Sequence, residues 1–214
     1  MYPVHYEADY QAEQNRATTF FRIILAIPWI IVAIVYGIVA AFTHLFAWVA
    51  VIILGRYPEG LYNLNSGFVR YFTRTYAWIY LQTDEWPPFG ISDDESYPIR
   101  VKVAPRQEHQ SRLTAFFRII LAIPMLIVSY PVSYAHELVA VIAWLTIVFR
   151  GYLPEQLNTA LTFCNSFNAR IYGYLFLLTD DYPPIGEERA LGAGGGSAAP
   201  APPQAPPPPP PPAA

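Results

Sequence analysis

Charge is what this chain has least of. Only 14% of its 214 residues are Asp, Glu, Lys or Arg, against 54% that are hydrophobic, and mean hydropathy is +0.26. Soluble domains carry about a quarter charged residues, so the chain is short of the groups that cover a water-facing surface. Lysine is nearly missing: Lys102 stands alone beside twelve arginines. The net charge of −3 points away from nucleic acid. Cys164 is the sole cysteine, which excludes an internal disulfide and leaves the redox compartment open. The first twenty residues hold Glu7, Asp9 and Glu13 and have no basic start before an apolar run, so no cleavable signal peptide is expected. No Gly-rich phosphate loop, H-E-x-x-H or nucleophile elbow occurs. The histidines, His5, His44, His109 and His136, do not share a metal-ligand spacing. The acidic pairs Asp84-Glu85 and Asp180-Asp181 read as solvated turn formers. The expectation is therefore no enzyme, no cofactor and no metal.

What is present is written twice. "TTFFRIILAIPWI" (18–30) returns as "TAFFRIILAIPML" (114–126), with Phe20–Pro28 identical to Phe116–Pro124. From Arg16 onward the halves align at a spacing of 96: Arg16 with Arg112, Trp48 with Trp144, Gly55 with Gly151, Arg74 with Arg170. "TDEWPPFG" (83–90) matches "TDDYPPIG" (179–186), and "YPV" (2–4) matches "YPI" (97–99) at a spacing of 95. This is a tandem duplication of a module of about 90 residues, a common pattern in membrane proteins. The division is a first repeat over 1–91, a linker over 92–96, a second repeat over 97–189 and a disordered Gly/Pro-rich tail over 190–214. The tail has polyproline II character and is a conceivable partner-binding segment.

No formal charge occurs between Arg22 and Arg56. The run Ile23–Gly55 would be roughly 50 Å long as one helix, against a hydrocarbon core of about 30 Å. The matching run in the second copy is interrupted by "SYPVSYAHE" (129–137), which predicts a turn there and, by analogy, a pivot at Gly37. Each copy then reads as a helical hairpin, over roughly 17–35 and 39–55, then 113–130 and 135–150, which either spans fully or dips and returns. Pro28 and Pro124 are the expected helix kinks, because proline removes one backbone hydrogen bond. Every Lys and Arg lies outside the proposed turns, so the positive-inside rule puts the termini and connecting segments in the cytoplasm, with the two copies the same way up. A third helix (61–84 and 157–178) reads as amphipathic and interfacial, with a third crossing as its alternative. Val4, Tyr6, Ala8 and Tyr10 alternate with His5, Glu7 and Asp9, and Ile99, Val101 and Val103 alternate with Arg100 and Lys102. Period-two alternation predicts strands. The acidic and basic faces predict that the two strands pair, with Glu7 and Asp9 near Arg100 and Lys102.

The fold class expected is an all-α membrane protein of tandem duplicated helical hairpins, about four transmembrane helices, with two amphipathic interfacial helices and a small two-stranded β element. Arg16, Arg22, Arg56, Arg70, Arg74, Arg112, Arg118 and Arg170 are the candidate lipid-headgroup or interface contacts, with Arg22 and Arg118 placed to snorkel. The repeated T-D-x-[WY]-P-P reads as a terminator in which Thr or Asp caps backbone groups. A tyrosine-proline strand, R-x-T-x-F-F-R-I-I-L-A-I-P, an alanine-tryptophan pair in the next apolar run, a glycine-proline turn and T-D-x-[WY]-P-P together resemble the DUF4389 family of bacterial predicted membrane proteins, across 2–91 and 97–186. That resemblance implies a bacterial membrane protein and brings no catalytic residues with it; the hairpins predict a multi-pass placement in the cell membrane. The functional expectation is a structural or accessory membrane protein that binds lipid or another membrane protein. A small transporter or channel subunit is the alternative, though it would ordinarily place ionisable groups inside its spans.

Overall fold

The computed structural model describes residues 2–184. The expectations for the 190–214 tail and for the end of the second repeat (185–189) lie outside them. The order is β1 (Val4–Ala8), α1 (Arg16–Phe20), α2 (Arg22–Leu25), α3 (Ile27–Leu54), α4 (Glu59–Ile79), β2 (Ile99–Val103), α5 (Arg112–Phe116), α6 (Arg118–Arg150) and α7 (Glu155–Leu175).

The hairpins do not form. α3 and α6 are each one uninterrupted helix, so the described residues hold two helices long and apolar enough to cross a membrane, not four. Gly37 continues the helix, and a Cβ there would meet Cζ of Phe72 on α4 in ordinary contact at 3.9 Å. Within 129–137, His136 is buried and its ring lies 3.8 Å from that of Tyr80, at the end of α4. The Tyr80 hydroxyl donates to Glu137 at 2.5 Å. The polar residues that suggested a loop are thus contacts to the neighbouring helix, and Pro131 is accommodated on an exposed stretch. At Pro28 the helical path breaks two residues earlier, at Ala26. At Pro124 α6 runs on.

The third helix of each copy does not lie alone on a surface. α4 and α7 are packed against each other and bury Tyr62, Phe68, Tyr71 and Trp78 in one copy, Leu161, Phe167 and Tyr174 in the other. They run antiparallel: Tyr57, just before α4, donates through its hydroxyl to Phe176 O beyond the end of α7, while Gln82, beyond α4, donates to Thr162 near the start of α7.

The strands pair as expected. β1 and β2 are antiparallel, with Glu7 opposite Arg100 and His5 opposite Lys102. Arg100 grips Asp9 through two hydrogen bonds of 2.7 Å. The inner face (Val4, Tyr6, Ile99, Val101) packs on Ala77 of α4 and Ala169 of α7. Each copy lends its strand to the other, since β1 packs on α7 and β2 on α4.

The copies are related by a pseudo-two-fold axis, and paired contacts reveal it. Trp48 Nε1 donates to Ala115 O at 2.9 Å, and its mate Trp144 donates to Thr19 O at 3.0 Å. Gln14 N donates to Gly151 O, and Gln110 N to Gly55 O. The start of each long helical tract therefore lies against the end of the other. Gly55 (φ 68°) and Gly151 (φ 80°) close these tracts in the left-handed conformation that ends helices. A Cβ on either would meet the Nε of Arg112 or Arg16 at 3.0 or 2.9 Å.

Candidate functional site

Two buried arginines stand at the head of the long helices. Asn15 and Ser111 cap α1 and α5 with their side chains, and Arg22 and Arg118 follow about two turns later. Arg22 is 2% exposed and Arg118 3%. Nη2 of Arg22 donates to Asp84 Oδ1 at 2.7 Å and Nη1 to Thr83 O at 3.2 Å, and its guanidinium lies 4.6 Å from the Trp78 ring. Nη2 of Arg118 donates to Asp180 Oδ1 at 2.9 Å, 4.1 Å from the Tyr174 ring. Burial works against the charge on Arg22, and Asp84 works for it. The other carboxylate oxygen caps the chain: Asp84 accepts from Asn15 N, and Asp180 from Ser111 N at 2.9 Å. Thr83 and Thr179 accept from the amides of Glu85 and Asp181. The repeated T-D is therefore more than a terminator, because it neutralises an arginine 62 residues upstream and fastens the helix start. The capping half of this was legible from residue type. The ion pair was not, since no local spacing links the partners.

The eight candidate arginines separate by burial. Arg22, Arg74, Arg118 and Arg170 are buried. Arg74 donates to Ser92 O at 2.7 Å and lies 3.4 Å from Asp93, and Arg170 holds Ser166 through its backbone and hydroxyl oxygens. These guanidiniums are committed to the protein rather than turned outward. Arg70 is half-buried and donates to Val101 O. Arg16, Arg56 and Arg112 are exposed, as is Arg150, which the sequence reading left out. All four stand at the ends of the long helical tracts. Arg16 donates to Arg150 O at 3.1 Å, so each junction of tract start and tract end carries exposed cations.

Between these ends the long helices are apolar and uncovered. Ile31, Ile34, Ile38, Phe42, Phe46 and Ile53 of α3 are 56–65% exposed, and Ile127, Leu138, Val141 and Phe149 of α6 are 55–74% exposed. The packed stripe on α3 consists of Ala40, Ala47 and Val51 with Trp29, Tyr36 and Thr43. Trp29 stacks on Trp86 and Phe89 at 4.9 and 4.8 Å, so the W-P-P segment closes over the start of α3. Two grooves of about 510 Å³ flank the core. One, between α4 and β2, is polar, with Glu59, Ser66, Arg70 and Arg106. The other, between α6 and α7, is apolar, with Val132, Phe163 and Cys164. Among the described residues, no cluster of His, Cys, Asp and Glu could hold a metal.

A family model described as a domain of unknown function, DUF4389, matches residues 16–90 and again 112–186. The chain belongs to the DUF4389 family. The two matched stretches begin at Arg16 and Arg112, so each DUF4389 copy contains one arginine–aspartate pair and one long apolar helix. The strands that join the copies lie outside both matches. Comparison with curated proteins and with solved structures returns no match.

Proposed function

We propose that this DUF4389 protein is a membrane-resident accessory protein that binds lipid, and through lipid or directly a membrane partner, and that catalysis is no part of its role. One observation carries the reading. The most apolar windows of α3 and α6 have mean hydropathies of 2.3 and 1.7, yet only 11% and 17% of them is buried inside the protein. The core helix of a soluble protein covers such a surface. Here α3 buries only Ala40, Ala47 and Val51, α6 buries a narrow stripe that includes Ala122, Met125, Ala143 and Ile147, and both leave most of their large apolar residues outside, the pattern of a surface that meets hydrocarbon. The exposed Arg16, Arg56, Arg112 and Arg150 fit lipid phosphates at the helix ends.

A multi-pass placement with cytoplasmic termini rested on hairpin turns. With each long helix continuous, cations lie at both of its ends, and the positive-inside rule no longer selects a side. The test is flotation of the full chain, purified in mild detergent and mixed with vesicles of phosphatidylcholine and phosphatidylglycerol at 7:3. Co-flotation with the vesicles is expected. A chain that stays monodisperse in plain buffer and remains at the bottom of the gradient overturns the reading.

A further inference from the structure

The pseudo-two-fold axis can be followed through the molecule, and it fixes what a bilayer can do. In the sheet, Tyr6 lies opposite Val101, its own counterpart at the spacing of 95, so the axis passes between them. In the next layer, α4 and its counterpart α7 pack on each other antiparallel, so the axis passes between them. In the third layer, the start of each long tract meets the end of the other, so the axis runs between their middles, near residues 34–35 and 130–131. The strand pair, the α4–α7 pair and the long helices are thus three layers stacked along one axis, with α3 and α6 lying across it.

Suppose α3 and α6 crossed a bilayer. The axis would then lie in the membrane plane at mid-depth, and the sheet on that axis would sit at the same depth. Its outer face carries Glu7, Asp9, Arg100 and Lys102, with Asp9 and Lys102 about half exposed. Charged groups at mid-bilayer are strongly disfavoured. A two-stranded sheet also has two open edges, and open sheet edges do not occur in hydrocarbon. Glu137, exposed on α6 six to seven residues past 130–131, would lie about 10 Å from mid-depth, still inside a hydrocarbon core about 30 Å thick.

Building on the membrane reading above, we propose that the protein is monotopic. α3 and α6 lie side by side in the plane of one leaflet with their uncovered apolar faces in the acyl chains. The axis stands along the membrane normal, and the charged sheet faces water on the same side as both helix ends. The surface fits a single lipid leaflet rather than a second protein. It is charge-free along the whole of α3, interrupted on α6 only by Tyr130, Ser133, Tyr134 and Glu137, residue types that tolerate headgroup depth, and cations mark its ends.

The experiment uses the full chain with Cys164→Ser and one added cysteine: Glu108→Cys by one tract junction, Glu155→Cys by the other, or Lys102→Cys on the sheet. All three native side chains are exposed. Labelling with an impermeant maleimide is compared in intact and permeabilised cells, and membrane association of each variant is checked by flotation. The expected result is that all three sites behave alike, reactive in the same preparation, in a protein that floats. Glu108→Cys and Glu155→Cys labelled from opposite sides, with Lys102→Cys shielded, would show two crossings and overturn this inference while leaving the membrane reading intact. A protein that does not float would overturn both. Should a cysteine variant fail to accumulate, nitroxide depth measurements at Ile24, Ile38 and Ile53 in reconstituted protein decide instead: equal depths support the in-plane helix, and a middle deeper than both ends overturns it.

Discussion

The two copies share a skeleton and differ in how firmly they hold it. Copy one ties Arg22 to a carboxylate, a carbonyl and an indole. Copy two ties Arg118 to a carboxylate and a phenol ring, and its buried Nη1 has no hydrogen-bond partner. Copy one bends, with helix breaks at Phe21 and Ala26. Copy two breaks once, at Phe117, and α6 then continues through two prolines. Copy one has Arg70 reaching the sheet, where copy two has Ser166. Duplication kept the pair that fastens each long helix and let its surroundings drift, so the fixed element is the internal ion pair and the exposed face has only to stay apolar.

The largest effect that tests this contrast is at the ion pairs. Asp84→Ala leaves Arg22 buried and unpaired and removes the cap on Asn15, and should cost about 3–5 kcal/mol, because an uncompensated buried charge is left behind. Asp180→Ala should cost more, since it leaves Arg118 with no hydrogen-bond partner, whereas Arg22 without Asp84 still donates to Thr83 O. Denaturant unfolding in mild detergent measures both, and equal losses would show that the additional hydrogen bond in copy one contributes nothing. Next in size, Gly151→Ala and Gly55→Ala each force a Cβ into a left-handed conformation, at about 1–2 kcal/mol, and crowd Arg16 or Arg112. Melting temperatures should fall for both, and no change in either would mean that the tract junctions are loose.

Smaller still are the exchanged indole hydrogen bonds. Trp48→Phe and Trp144→Phe should each lose about 0.5–1.5 kcal/mol, with Trp144→Phe the worse because Trp144 also stacks on Phe20 at 5.9 Å. A double variant that simply adds the two single losses would show that the crossings act independently. The smallest effect is Asp9→Asn on the sheet. Hydrogen bonds from Arg100 hold the Asp9 carboxyl below its ordinary range. Its stabilising contribution is therefore complete above the ordinary carboxylate pKa of about 4 and fades as pH falls through the lower folded value. The pair is exposed, so the difference between wild type and Asp9→Asn should be about 0.2–1 kcal/mol near neutrality, vanish at low pH, and shrink with salt.

Particular residues explain which parts of the structure could be read in advance. The repeat and the pairing of β1 with β2 were legible because identity at fixed spacing and opposite charges on alternating positions are local patterns. Helix continuity was not. Gly37 and the 129–137 stretch look like chain reversals because glycine, proline and polar residues usually serve that end. Here the helix simply continues through Gly37, and Tyr80 uses the second stretch for packing, which only the neighbouring helix reveals. The arginines misled for the same reason. Arg22 near a helix start reads as a residue reaching outward until Asp84, 62 residues away, draws it in. Burial is a property of the partner, and the partner is not nearby in sequence.

The strand exchange has a consequence for chains with half this length. Because β1 rests mainly on α7 of the second copy and β2 on α4 of the first, a polypeptide carrying a single copy would leave most of its strand's inner face uncovered. Pairing with a second copy, each lending its opening residues to the other, would cover it. The 214-residue chain is in effect such a pair joined end to end, its stoichiometry written into one gene.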